Sequence, residues 1–186
     1  MDDHQIVDLF WARSESAISE ASKKYGRYCH SIALNIVANA GDAEECVNDT
    51  LLQAWNSMPE NRPALLSAYL GKITRNLALN RFRKRKAEKR GGGEMELILH
   101  ELEDCLPAQN SVEDALERAY LAKLISHFLR TLSDEKMTVF VRRYWYADSI
   151  ASISAHCGIS ESKIKSILFR CRNKLKAYLE REDFRI

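Results

Sequence analysis

A chain of 186 residues, 46% hydrophobic and 29% charged, has material for one domain or two small ones, and no run approaches the ~18 apolar residues of a membrane span. Only seven Gly and three Pro, among abundant Ala, Leu, Lys, Arg and Glu, favour an all-helical chain. The net charge of +2 is too small to specify a polyanion partner, so the placement of charge carries the argument.

Helical periodicity runs from about residue 4 to 38, from 42 to 57 and from 64 to 87. The second segment opens with Asp42-Ala43-Glu44-Glu45, which suits capping. Its inner stripe is Ala43, Cys46, Val47, Thr50, Leu51 and Ala54. Its outer face carries Glu45, Asn48, Asp49 and Leu52, with Trp55 at the edge. A Leu and a Trp beside carboxylates form a mixed patch of the kind that docks on a basic partner, although one exposed Leu is ordinary. In the third segment Leu66, Leu70, Ile73 and Leu77 face inward. The other side shows Lys72, Arg75, Asn76, Leu79, Phe82 and Arg83, with Tyr69 at the border. Cations interleaved with rings and an amide suit a nucleic-acid strand. A solvated helix with a snorkelling basic tail has the same composition.

The charge then changes sign. Residues 81–90 hold Arg81, Arg83, Lys84, Arg85, Lys86, Lys89 and Arg90 against Glu88 alone, whereas residues 94–117 hold eight acids and no Lys or Arg. Gly91 to Gly93, between them, break any helix. The expected organisation is a helical domain over 1–87, a flexible acidic linker over 88–110 and a second helical domain over 111–186. Ser111-Val112-Glu113-Asp114 resembles a capping box and should start a helix. Another helix should follow Ser133, with Asp134 and Glu135 in its first turn as the macrodipole prefers.

Residues 149–179 are the most informative stretch. Ile150 and Ile153 mark a short helix that stops at Gly158, the residue best able to adopt a left-handed C-cap. Ser160 can cap the next helix. There Ile164, Ile167, Leu168, Cys171, Leu175, Tyr178 and Leu179 form one apolar stripe. At about 100° per residue, Ser162, Ser166, Phe169 and Asn173 occupy the opposite face. Lys163, Arg170 and Lys174 flank that face on one side, and Lys165, Arg172 and Lys176 on the other. No acid occurs between Lys163 and Lys176. A helix-turn-helix whose second helix enters a DNA major groove has this pattern.

The remaining side chains argue against other chemistry. Cys29, Cys46, Cys105, Cys157 and Cys171 are irregularly spaced, with no CxxC and no paired Cys/His spacing, which speaks against a zinc site and for thiols in a reducing cytoplasm. The opening MDDHQIVDLF is acidic and lacks an apolar h-region, so it does not read as a signal peptide. His4, His30, His100, His127 and His156 are scattered, and no glycine-rich phosphate loop follows a strand. No catalytic residue, metal or cofactor is expected.

Taken in order, these pieces resemble a sigma factor of the sigma-70 family, of the compact extracytoplasmic-function (ECF) type. DAEECVNDTLLQAW (42–55) is similar to the family's polymerase-clamp-binding helix. YLGKITRNLALNRFRKRK (69–86) is similar to its −10-binding segment, and ISESKIKSILFRCRNKLKAYL (159–179) to its −35 recognition helix. The resemblance implies core RNA polymerase and promoter DNA as partners. It implies polymerase docking by Asp42, Glu45, Asn48, Asp49 and Leu52. It assigns −10 contacts to Tyr69, Lys72, Arg75, Asn76 and Asn80, and capture of a flipped base to the loop over Ser57 to Leu65. It assigns −35 contacts to Ser162, Lys163, Lys165, Ser166, Phe169 and Arg170. It also implies that the acidic stretch 94–106 passes through the polymerase cleft, and it makes an anti-sigma factor a candidate partner. The chain departs from the family pattern at Tyr69 (usually Trp), Asn80 (usually Asp), Ser162-Lys163 (usually Gly-Thr), Cys171 (usually Ala) and Ser152-Ile153-Ser154 (usually Glu-Ile-Ala). The competing reading is a stand-alone helix-turn-helix regulator that needs no polymerase. The Leu52/Trp55 face and the strand-binding segment argue against it.

Overall fold

The computed structural model describes residues 1–88, 94–103, 106 and 115–182. The described residues form helices and connecting turns with no strand, and the chain divides into two compact units at Gly93/Glu94.

The first unit holds α1 (Asp3–Trp11), α2 (Ser16–Val37), α3 (Ala40–Ser57) and α4 (Leu66–Glu88). Asp2 starts α1 through a capping box: its carboxylate accepts from the Gln5 amide at 2.9 Å, and the Gln5 side chain accepts from the Asp2 amide at 3.1 Å. The expected continuous pattern over 4–38 is broken between α1 and α2. No Gly or Pro marks the break. Instead Arg13 takes the left-handed conformation at φ 55°, and its guanidinium donates to the Trp55 carbonyl at 2.7 Å. Tertiary contact, not local propensity, ends α1. Ala38 ends α2 in the same left-handed region. The start expected at Asp42 is corrected to Ala40. Asn39 is the N-cap, and its side chain accepts from the Asp42 amide at 2.9 Å.

The core of this unit gathers Ile6, Val7 and Phe10 of α1, Ala17, Ala21 and Cys29 of α2, Leu51 and Ala54 of α3, Met58, and Leu66, Leu70 and Ile73 of α4. The small residues on α2 let its neighbours approach. So does Gly71 on α4, where a Cβ would lie 2.5 Å from the Tyr28 hydroxyl of α2. The buried Thr50 hydroxyl donates to that of Thr74 at 3.0 Å, and Thr74 donates to the Leu70 carbonyl at 2.8 Å, so both polar groups enter the core satisfied.

The second unit holds α5 (Glu94–Glu103), α6 (Ala115–Arg130), α7 (Asp134–Tyr144), α8 (Ile150–Cys157) and α9 (Glu161–Arg181). Part of the stretch expected to be linker is thus helix α5, with Met95 and Ile98 buried. The acids had masked an apolar stripe, completed at i+4 and i+7 by the half-buried Leu99 and Leu102. The rest of the 88–110 stretch, apart from Glu88 itself, and the Ser111 capping box lie outside the described residues, Leu106 excepted. The core is completed by Leu124 and Phe128 of α6, Val139, Phe140 and Tyr144 of α7, Ile153 of α8, and Ile164, Ile167, Leu168, Cys171, Leu175 and Leu179 of α9. Tyr178 and Ile150, expected to be inside, are only half-buried. The Phe128 and Phe140 rings meet edge to face at 6.3 Å, and Phe140 meets Tyr144 at 4.6 Å.

Candidate nucleic-acid and polymerase surfaces

In the second unit, α8 and α9 form a helix-turn-helix whose ends are set by local chemistry. Ser149 caps α8 by accepting from the Ser152 amide at 3.1 Å. Gly158, at φ 67°, closes α8, and its amide donates to the Ser154 carbonyl at 3.0 Å. Ser160 caps α9 by accepting from the Lys163 amide at 3.3 Å. With the α9 stripe committed to the core, Ser162, Lys163, Lys165, Ser166, Phe169 and Arg170 all stand exposed. Phe169 is 58% exposed, an uncompensated ring among cations. Two of the cations have partners within the unit: Lys163 Nζ lies 2.5 Å from Glu135 of α7, and Lys165 Nζ lies 4.0 Å from Glu161. Both pairs are solvent-exposed, so they cost little to exchange for phosphate.

Sequence reasoning missed the strongest electrostatic feature of this unit. Arg143 of α7 is 1% exposed. Its guanidinium donates to Glu101 of α5 at 2.6 and 3.2 Å, to Glu94, and to the Asp148 carbonyl at 3.1 Å. Glu101 also accepts from the Tyr144 hydroxyl at 2.9 Å and lies 3.4 Å from Arg172 of α9, which donates to Tyr144 at 2.7 Å. Burial alone would raise the Glu101 pKa, but hydrogen bonds and charge from Arg143 overcome it, and the net direction is down. Burial pushes the Tyr144 phenol up. The signal lay in the spacing: Val139, Phe140, Arg143 and Tyr144 share one face, and a cation on an apolar stripe calls for a buried carboxylate.

In the first unit, α3 presents the residues expected to dock polymerase. Asn48 and Leu52 are exposed, Leu52 at 57%. The acids are not free, as a bare docking patch requires. Arg81 of α4 pairs with Glu45 and lies 3.5 Å from Asp42 and 3.7 Å from Asp49, while Arg85 reaches Asp42 at 2.9 Å. The Arg81 hydrogen bond holds the Glu45 carboxyl below the usual carboxylate range. Trp55 is turned inward. It packs on Phe10 at 6.3 Å with Arg13 over its ring at 5.2 Å. The basic run 81–90 therefore has a structural share, because two of its arginines tie α4 to α3.

On α4, Lys72, Asn76 and Asn80 are exposed, and Tyr69 and Arg75 are half-buried. Burial pushes the Arg75 pKa down to about 10, so it stays charged at neutral pH. The Tyr69 hydroxyl lies 2.7 Å from Ser57 Oγ, which ties the loop of residues 58–65 to the start of α4. Asn61 Nδ2 donates to the Ser57 carbonyl at 3.1 Å. Among the described residues no group of three His, Cys, Asp or Glu is placed to hold a metal ion, and no helix is long and apolar enough to cross a membrane.

A helical unit with cations, amides and a ring along α4, and a second unit built on a helix-turn-helix, fit the sigma-70 class. The family profiles agree: Sigma-70 region 2 matches residues 22–88, and Sigma-70, region 4 matches residues 128–177. The chain is 30% identical over 153 residues to the ECF RNA polymerase sigma factor SigL of Mycobacterium tuberculosis, covering 80% of each protein. It is 27% identical over 154 residues to the RNA polymerase sigma-E factor of Streptomyces avermitilis, covering 81% of this chain and 78% of that one. It is 23% identical over 164 residues to the ECF RNA polymerase sigma factor SigM of Bacillus subtilis, covering 88% and 96%. The chain belongs to the ECF sigma factors of the sigma-70 family, transcription initiation factors that bind core RNA polymerase and direct it to promoters.

Proposed function

We propose a division of labour between the two units. Residues 1–87 dock on core polymerase through Asn48 and Leu52, with Asp42, Glu45 and Asp49 supplying negative charge. They hold unpaired −10 bases on Tyr69, Lys72, Arg75, Asn76, Asn80 and the loop over Ser57 to Leu65. Residues 111–186 set register on the −35 duplex through Ser162, Lys163, Lys165, Ser166, Phe169 and Arg170, most contacts falling on phosphates and a few on base edges. Residues 88–110 join the two. Extruding a base costs stacking energy, so a surface that binds only the extruded base shifts the closed–open equilibrium toward melted DNA. The chain itself carries no catalytic group in this reading. Polymerase forms the phosphodiester bond, in the cytoplasm.

The observation that carries this reading is the α9 face: six neighbouring polar, cationic and aromatic side chains stand in solvent on a helix whose opposite stripe is core. The test is run-off transcription with purified core polymerase on a template bearing a matched −35/−10 pair. The protein should create a new start site that disappears when Lys165 and Arg170 are both replaced by Ala. Tight, specific duplex binding without polymerase would favour the stand-alone regulator.

A further inference from the structure

We propose that Trp11 and Arg62 form a second platform for melted DNA, which takes an unpaired nucleobase beside the loop of residues 58–65. This rests on the −10 role proposed above for that loop and α4. Trp11 ends α1, upstream of the residues matched by the Sigma-70 region 2 profile. It is 48% exposed. The Arg62 guanidinium lies over its ring, 5.3 Å from the centroid, and pairs with Asp8 on the same helix. Arg62 belongs to the loop, so the loop touches Trp11 through Arg62, and the Ser57 that precedes it touches Tyr69.

The contrast with Trp55 is instructive. Each indole has a guanidinium over its ring, but Trp55 is half-buried, Phe10 packs against it and Arg13 also donates to its carbonyl. That indole is structural. The Trp11 indole is left at the surface, and the same loop that carries Arg62 also exposes Leu65, at 66%. A half-exposed ring with a guanidinium over it offers a base a surface to stack on once the guanidinium swings to the base's phosphate. Asp8 does not lock Arg62 away, because an exposed ion pair exchanges readily for a phosphate. A protein partner would also accept an exposed Trp and Arg. The link of the loop through Ser57 to Tyr69, and a guanidinium held only by an exposed ion pair, favour the strand.

The experiment uses the full chain bound to core polymerase, with a promoter held open by mismatches and 2-aminopurine placed at one unpaired position at a time. Trp11→Ala should weaken binding to the open promoter by about 5- to 160-fold, the span of one base–ring stack. It should also raise the fluorescence of a single 2-aminopurine position. Trp11→Phe should retain most of the affinity. Arg62→Ala should lower the salt dependence by about one phosphate contact. If Tyr69→Ala weakens binding while Trp11→Ala does not, the platform is refuted and the −10 assignment stands. If none of Trp11→Ala, Tyr69→Ala and Lys72→Ala matters, both fall together. Loss of core affinity in Trp11→Ala, with DNA binding by the preformed complex unchanged, would make Trp11 a protein contact and overturn the proposal.

Discussion

Glu101 of α5 receives two hydrogen bonds from Arg143 of α7, at 2.6 and 3.2 Å, and Arg143 is almost wholly buried. A buried guanidinium left without its carboxylate is among the most costly defects a core can carry. Glu101→Ala should therefore destabilise the second unit by about 3 kcal/mol, although Glu94 and the Asp148 carbonyl remain to Arg143. Chemical unfolding followed by circular dichroism checks the value. A loss near zero would show that Glu94 and the Asp148 carbonyl suffice to satisfy Arg143.

The same pair sets a pH dependence. The folded-state pKa of Glu101 lies below its usual 4.5. A carboxyl depressed on folding contributes stability that is present above the unfolded pKa and is lost as pH falls through the folded one. Stability should hold from neutral pH down to about 4.5 and then decline with acid. The decline should be shallower in Glu101→Gln, which has no proton to take up. Thermal melts across that range measure both slopes.

Much of the helix-turn-helix was legible in the sequence. Ser149, Gly158 and Ser160 act through their own backbone geometry, and the 3.6-residue stripe of α9 is local information. Three features were not legible. The α1–α2 break depends on Arg13 reaching Trp55, 42 residues away. Helix α5 hid because its acids pointed to a linker, although Met95 and Ile98, both buried, and Leu99 and Leu102, both half-buried, fall at i, i+3, i+4 and i+7. The docking acids looked free because their partners, Arg81 and Arg85, sit on another helix and read as part of a solvated basic tail. Long-range pairing of charges leaves no periodic trace.

Gly158 tests the turn by itself. Nothing lies within 4 Å of a Cβ built there, so Gly158→Ala meets no clash, only the left-handed backbone at φ 67°. The expected cost is about 1–2 kcal/mol. Gly71→Ala makes the opposite test. Its backbone is relaxed, but the new methyl would crowd Tyr28. A cost of about 1–3 kcal/mol is expected, and Tyr28→Phe should relieve part of it. Equal relief at both sites would contradict this division.

Leu52 is the apolar centre of the face proposed to dock polymerase. Its exposure means that Leu52→Asp removes no core contact, so the melting curve should stay in place while affinity for core polymerase falls at least about tenfold, the equivalent of a modest interface anchor. A pull-down at wild-type strength would remove Leu52 from the docking surface.

Arg81 poses a sharper question about the same face. It holds Glu45 and lies near Asp42 and Asp49, so a basic polymerase surface must either displace its guanidinium or accept the acids as Arg81 arranges them. If the guanidinium competes, Arg81→Ala should bind core more tightly at low salt, and the gain should shrink as salt screens the exposed charges. Weaker binding at every ionic strength would show instead that Arg81 organises the acids for the partner. Titration of labelled protein with core polymerase at two salt concentrations separates these outcomes. Glu45→Gln supplies the control, because it removes one arm of the Arg81 network while leaving Asp42 and Asp49 in place.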